Sequence, residues 1–249
     1  MWVMGFLLRT ALKHPLLTAA GGAAVGGATF AGMWAYGLGH AVRPDEKAKE
    51  LPGDDLIDAG VPKLRLEAAI TIDAPKEQVW PFIAQIGQRR AGFYSFGWLE
   101  RLFTFHIYNT YTPVEEWQDM REGEFIFYHQ AGIGSEVQEV KPGEYFTSLS
   151  DTQRPPQATD AIAFKAPFGL RDLAFTWNWF LFDEGNGKTR FMNRCDCAFE
   201  PFTPMRKWLM ILIFGTASLV MNRRMLDVIK QCAEGRKKEP GQLVRRLLS

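Results

Sequence analysis

A charge excess of either sign is missing from this sequence. Across 249 residues, 29 lysines and arginines stand against 28 aspartates and glutamates, a formal net charge of +1. Nucleic-acid binders draw most of their affinity from neutralising phosphates and carry a clear basic excess, so the balance argues against that class. Cysteine is scarce: Cys195, Cys197 and Cys232 are an odd three, which is no secreted disulfide framework. They read as small buried apolar side chains. The four histidines, His14, His40, His106 and His129, are dispersed, and no HxxH or CxxC pair occurs, so no metal site is expected. P-loop, nucleophile-elbow and GxGxxG signatures are also missing. "AGIGSE" has two glycines at the right gap but no third and no following helix, and it reads as a turn. No cofactor is expected.

Charge is missing altogether from Pro15 to Ala41, "PLLTAAGGAAVGGATFAGMWAYGLGHA". As a helix, such a stretch spans roughly 40 Å, enough to cross a bilayer core of about 30 Å with tilt. Arg9, Lys13 and His14 precede it and Arg43 follows; Trp34 and Tyr36 suit an interfacial aromatic belt. Gly22 and Gly26 form a GxxxG that lets two such helices approach, hence an expected homodimer contact. A cleavable signal peptide ending near Gly39-His40-Ala41 is the alternative. Basic residues lie on both sides, so orientation stays open. The segments expected are a flank (1–14), a transmembrane helix (15–41), a linker (42–63), a soluble domain (64–234) and a basic tail (235–249). The tail, "GRKKEPGQLVRRLLS", reads either as a leaflet-binding segment or as a solvated terminus.

Residues 44–63, charged and punctuated by proline and glycine, read as the linker. "LRLEAAITI" then alternates as a strand, and "DAPKEQVWPFIAQI" reads as a helix with Pro75 in its first turn, Pro81 inside it, and Val79, Phe82, Ile83 and Ile86 on one face. A short helix is expected over "FGWLERLF". After Asn109 the period changes to that of strands, in "EFIFYHQ", "SEVQEVKPGEYFTSLSD" and "ATDAIAFKA". The clearest hairpin is "LAFTWNWFLFDEGNGKTRFMNRCDCAFEP", turning at "DEGNGK". Alternation puts Leu173, Phe175, Trp177, Trp179 and Leu181 on one face of its first arm. Phe191, Asn193, Cys195, Cys197 and Phe199 share a face of the second, with Arg190, Arg194 and Asp196 opposite. A long helix from about Pro204 to Glu234 closes the chain; the uncharged run in its middle is short for a membrane span. The order of elements is α+β.

Four blocks, "ITIDAPKEQVWPFIAQIGQRRAGFYSFGWLERL", "TPVEEWQDMREGEF", "FTWNWFLFDEGNGKTRFMNRCD" and "LVMNRRMLDVIKQCAE", occur in the order that resembles bacterial SRPBCC proteins, the superfamily of START, Bet v 1-like and polyketide cyclase/dehydrase-like domains. The resemblance covers roughly residues 64–234. It implies a helix-grip fold, in which a curved antiparallel sheet grips the C-terminal helix around a hydrophobic cavity.

The stretch "GQRRAGFYSFGWLE" reads as a helical lid over that cavity. Gly87 ends the preceding helix, and Arg89 and Arg90 face solvent or a headgroup. Candidate ligand-binding residues are Phe93, Tyr94, Trp98, His106, Asn109, His129, Trp177 and Asn193, since a few polar groups among aromatics orient a ligand in an apolar pocket. The expected function is a single-pass protein of the bacterial cytoplasmic membrane, its soluble domain binding a hydrophobic small molecule or lipid. Two alternatives stand beside it. One is a cyclase- or dehydratase-like enzyme using His106 or His129 as acid or base. The other is a membrane-proximal interaction module.

Overall fold

A computed structural model describes residues 15–102 and 104–239. The basic flank Arg9–His14 and the tail beyond residue 239 lie outside them. Helix α1 (Pro15–Gly37) continues as a 3-10 turn to His40, and a single turn, α2 (Pro44–Lys47), follows. The first strand, β1 (Lys63–Ile72), leads into α3 (Lys76–Ala84), for which Pro75 is the N-cap residue with extended backbone. Next come the short helix α4 (Gly97–Leu102) and the strands β2 (Phe125–Phe127), β3 (Gly134–Lys141), β4 (Tyr145–Asp151), β5 (Asp172–Thr176), β6 (Asn178–Gly185) and β7 (Lys188–Glu200). The chain ends in α5 (Pro204–Met210), a π-helical turn (Ile211–Gly215) and α6 (Thr216–Ala233).

The strands make one antiparallel sheet in the order β1-β7-β5-β4-β3-β2, with β6 pairing to both β4 and β7. The expected hairpin is present, but its first arm is broken at Trp177. The break is satisfied locally: Trp177 N–H donates to the Ser148 carbonyl at 3.1 Å, and Ser148 Oγ donates to the Trp177 carbonyl at 2.8 Å. Asn186 and Gly187 turn the hairpin, both with positive φ (53° and 70°), the type I′ geometry that matches strand twist. The strand expected in "ATDAIAFKA" does not form; only Ile162 makes an isolated bridge, to Ile133.

One sheet face packs on α3 and α6. Along α6, Leu219, Asn222, Leu226, Ile229 and Ala233 recur at helical spacing and are buried. Leu226, Ile229 and Ala233 join Ile72, Val79, Ile83, Phe146 and Phe191 in the main core. Trp179 is fully buried, stacked on Phe146 at 5.5 Å and tilted against Phe191 at 5.4 Å. Thr203 caps α5 by accepting from Arg206 N–H at 3.4 Å, with Pro204 at the first helical position. Pro204–Ala233 is the one stretch, among the described residues searched, long and apolar enough to cross a bilayer by length and composition, with hydropathy 1.4, although 39% of that window is buried inside the protein.

The opposite face of β7 carries Arg190, Arg194 and Asp196, as alternation predicts, yet it does not meet solvent. Residues 42–62, whose composition reads as a linker, pack across it. Val42 joins Ala69, Phe180 and Met192 in a small core. Glu46 takes two hydrogen bonds from Arg190, at 2.7 and 2.9 Å. Arg194, with no exposed surface, donates to Glu67 at 2.7 Å, to Asp54 at 2.6 Å and to the Lys49 and Glu46 carbonyls. Arg65 grips Asp196 through two bonds, 2.7 and 2.6 Å.

Candidate functional site: an apolar cavity under the α4 lid

Between α4, the inner sheet face and α6 lies a cavity of about 360 Å³. Phe93, Phe96, Phe105, Phe175, Trp177 and Met225 form most of its wall. A second cavity, of about 280 Å³, lies beside β1 and the π turn and includes Trp34 of α1 and Phe214 in its wall. Phe164, Phe175, Cys195 and Ser218 line both. Thr216 closes the π turn, its backbone N–H and its Oγ1 both donating to the Ile211 carbonyl, the hydroxyl at 3.4 Å; such turns concentrate at functional sites.

The lid depends on an unusual loop. Tyr94 has φ of 55°, which a bulky residue rarely adopts. Its N–H donates to Asn109 Oδ1 at 2.8 Å, and its hydroxyl accepts from Gln85 Nε2 at 2.8 Å. Both expected ligand contacts, Tyr94 and Asn109, therefore support the lid from behind. Gly92 (φ 73°) belongs to the same clamp: a Cβ there would lie 2.5 Å from Asn109 Oδ1.

The other expected residues divide. Phe93 and Trp177 line the cavity, 5.8 Å apart between ring centroids. Asn193 is fully buried one layer behind the wall, where its Oδ1 accepts from Asn222 Nδ2 at 3.1 Å and Asn222 reaches the cavity. Trp98 points outward, 64% exposed. His106 is exposed. His129 packs edge-on against Phe105 at 4.9 Å, outside the wall, and its Nδ1 accepts from Ala131 N–H at 3.0 Å. Neither histidine lines the cavity. Arg89 is exposed, as expected, pairing with Asp160 and lying over the Phe127 ring at 3.4 Å, whereas Arg90 is half-buried and pairs with Glu124.

Glu100 is the residue that sequence reasoning missed. It sits on α4, is only 6% exposed and lines the cavity, with no hydrogen-bond partner among the described residues for either carboxylate oxygen. Burial pushes its carboxyl up to about 7, only partly opposed by Arg101. Ser95 Oγ, also in the wall, is likewise buried and unpartnered. A signal was present: Phe96, Leu99 and Glu100 are spaced i, i+3, i+4, one helix face. Of the other polar wall groups, the Tyr128 hydroxyl lies 2.5 Å from Ser135 Oγ and Asn222 Nδ2 donates to Asn193 Oδ1. In chemical terms, the site is a greasy chamber with one acidic end.

Sheet, closing helix and chamber together define an α+β helix-grip domain, the arrangement that the SRPBCC resemblance implies. No family model and no curated protein matches the chain. Solved structures similar to it include a norcoclaurine synthase point mutant from Thalictrum flavum in complex with a transition-state analogue. That pair is 12% identical, with 72% of this chain and 98% of that one covered and a TM-score of 0.39. Others are the hypothetical protein jhp0584 of Helicobacter pylori (10%, 75% and 96%, 0.40) and DynU16, from the dynemicin biosynthetic locus (13%, 67% and 47%, 0.37). The chain thus spans about half the length of DynU16.

Proposed function

We propose that this chain is a single-pass, membrane-anchored binding domain, with residues 64–234 holding a hydrophobic small molecule or lipid in the cavity under α4. The observation that carries the reading is the cavity itself, about 360 Å³ with a nearly continuous aromatic and aliphatic wall, within the range of small-molecule sites. Trp34 of α1 contributes to the adjoining cavity, so the uncharged N-terminal helix and the ligand space meet. Met205, Trp208, Leu212 and Ile213 leave large apolar surfaces exposed on α5 and the π turn, as Trp98 and Leu102 do on the lid. Clusters of this kind mark membrane or partner contacts, and they fit a domain that takes its ligand from the bilayer of the cytoplasmic membrane. A Cβ on Gly26 or Gly32 would meet nothing within 4 Å among the described residues, which leaves that helix surface to a second copy.

The test is native mass spectrometry of the detergent-extracted full chain, with displacement of the fluorescent apolar probe N-phenyl-1-naphthylamine. A co-purifying lipid-like mass is expected, as is loss of probe binding in Ala217→Trp, which fills the chamber from its α6 wall. No ligand and no probe binding, or equal binding by the variant, overturns the reading.

A second reading, proton-transfer chemistry in the same chamber, draws support from Glu100, whose carboxyl titrates near neutrality, rather than from His106 or His129. It requires a co-purified ligand to change chromatographic retention or fragmentation pattern, with or without a change of mass, on incubation with wild type and not with Glu100→Gln. A ligand unaltered by both measures removes it.

A further inference from the structure

We propose that the chamber under α4 selects an apolar ligand bearing a protonated amine, which Glu100 and Ser95 hold at its polar end. The inference rests on the binding reading above and adds the chemistry of the headgroup.

Three observations lead to it. Glu100 places two acceptor oxygens in a largely apolar wall, and neither has a partner among the described residues. A buried charge without a partner is costly, and a bound counter-charge relieves that cost. Ser95 adds a third unpartnered oxygen to the same wall. Second, among the described residues the wall contains no lysine, arginine or histidine. The nearby cations stay out of the wall: Arg101 lies over the Tyr108 ring at 5.6 Å, and Arg224 over the ring of the wall residue Phe96 at 5.6 Å. A carboxylate or phosphate headgroup would meet a like charge that Arg101 only partly offsets. Third, the donor count discriminates among the remaining polar ends. An ammonium brings three N–H donors and a positive charge to three acceptor oxygens, whereas an alcohol brings one donor and no charge.

The lid helix itself is turned against its composition. Trp98 and Leu102 face out while Leu99 and Glu100 face in, and the Tyr94–Asn109 hydrogen bond fixes the loop that leads into this six-residue helix. Burial keeps the Glu100 carboxyl near neutrality in the free protein; an ammonium beside it pulls the group back towards the ordinary carboxylate range.

The experiment measures displacement of N-phenyl-1-naphthylamine from the detergent-solubilised full chain by dodecylamine, dodecanol and dodecanoate at pH 7.5. In wild type, dodecylamine is expected to compete at least ~10-fold more strongly than dodecanol, a difference of one well-placed ion pair, with dodecanoate weakest. Glu100→Gln, nearly isosteric, should still bind the probe while its amine and alcohol affinities converge to within about twofold. Ser95→Ala should shrink the preference without abolishing it, and it supplies the comparison should Glu100→Gln not fold. Equal or better competition by the alcohol in wild type, or a preference that survives both substitutions, overturns the inference alone. Failure of the probe and all three chains to bind wild type overturns the binding reading and this inference with it.

Discussion

The indole Nε1 of Trp34 donates to Thr216 Oγ1 at 2.9 Å, joining the N-terminal helix to the first turn of the C-terminal one. Around that bond, His40 Nε2 lies 2.7 Å from Asp227 Oδ1, and the Arg223 guanidinium covers the Tyr36 ring at 4.3 Å while donating to its carbonyl. The uncharged helix is therefore seated on the domain at its C-terminal end.

That seat predicts the effect of bulk at Gly37. A Cβ there would lie 2.7 Å from Leu219 Cβ and 3.1 Å from its backbone carbon, and rotamer changes relieve neither contact. Gly37→Val should cost about 1–3 kcal/mol, the usual scale of overpacking, and raise hydrogen exchange across residues 34–40. Unchanged melting and exchange would show that the two helices do not pack here.

Arg194 should be one of the most sensitive positions in the chain. It has no exposed surface and joins β7 to Glu67, Asp54 and two carbonyls of the segment before β1. Removing one partner of such a network leaves buried charge behind and costs roughly 3–5 kcal/mol. Arg194→Met should lower the urea midpoint accordingly, and Arg194→Lys should restore only part of it, because an ammonium lacks the guanidinium fork. A midpoint equal to wild type in Arg194→Met would contradict the buried network.

Glu100 sets a pH dependence whose direction follows from its raised value. An ordinary glutamate titrates at 4.5, and here burial pushes the group up to about 7. The folded state thus holds this proton more tightly than the unfolded chain. The associated stability is complete below about pH 4.5 and is lost as pH rises through about 7. The loss is of order 3 kcal/mol at 1.36 kcal/mol per unit. Glu100→Gln should flatten this part of the pH–stability curve and stabilise the protein at pH 8. A variant whose curve tracks wild type would mean the carboxyl is solvated or paired.

Cys195 offers a chemical check on the chamber wall. It lines both cavities, and burial raises its thiol well above the usual range, so little thiolate forms. It should resist iodoacetamide at pH 8 in the folded protein and react once urea unfolds it. Rapid labelling of Cys195 in the folded protein would mean that the chamber is open to water.

Much of the fold is legible locally. The alternation of β7 and the Asn186-Gly187 turn are short-range patterns, and both appear where the residues indicate. The break at Trp177 is not, because it depends on Ser148 of β4 filling the hydrogen bonds that the ladder gives up, while Ser148 N–H donates to Asn178 Oδ1. The candidate site was read less well. Aromatic content pointed to Phe93 and Trp177, which line the chamber, but also to Trp98, which does not. Composition ranked the histidines above Glu100, since a glutamate on a short helix is ordinarily solvated.

By itself, the sequence determined the order of elements, the α+β class, the strand periodicities and the long uncharged stretch near the N-terminus. These follow from side-chain patterning over a few residues. Tertiary structure alone decided which way α4 turns, and so whether Trp98 or Glu100 enters the chamber. A helix of six residues is too short to choose a face by its own amphipathicity. Only contact order at the scale of the whole chain brings Glu46 and Asp54 onto Arg190 and Arg194, about 140 residues away, because no local rule couples segments so far apart.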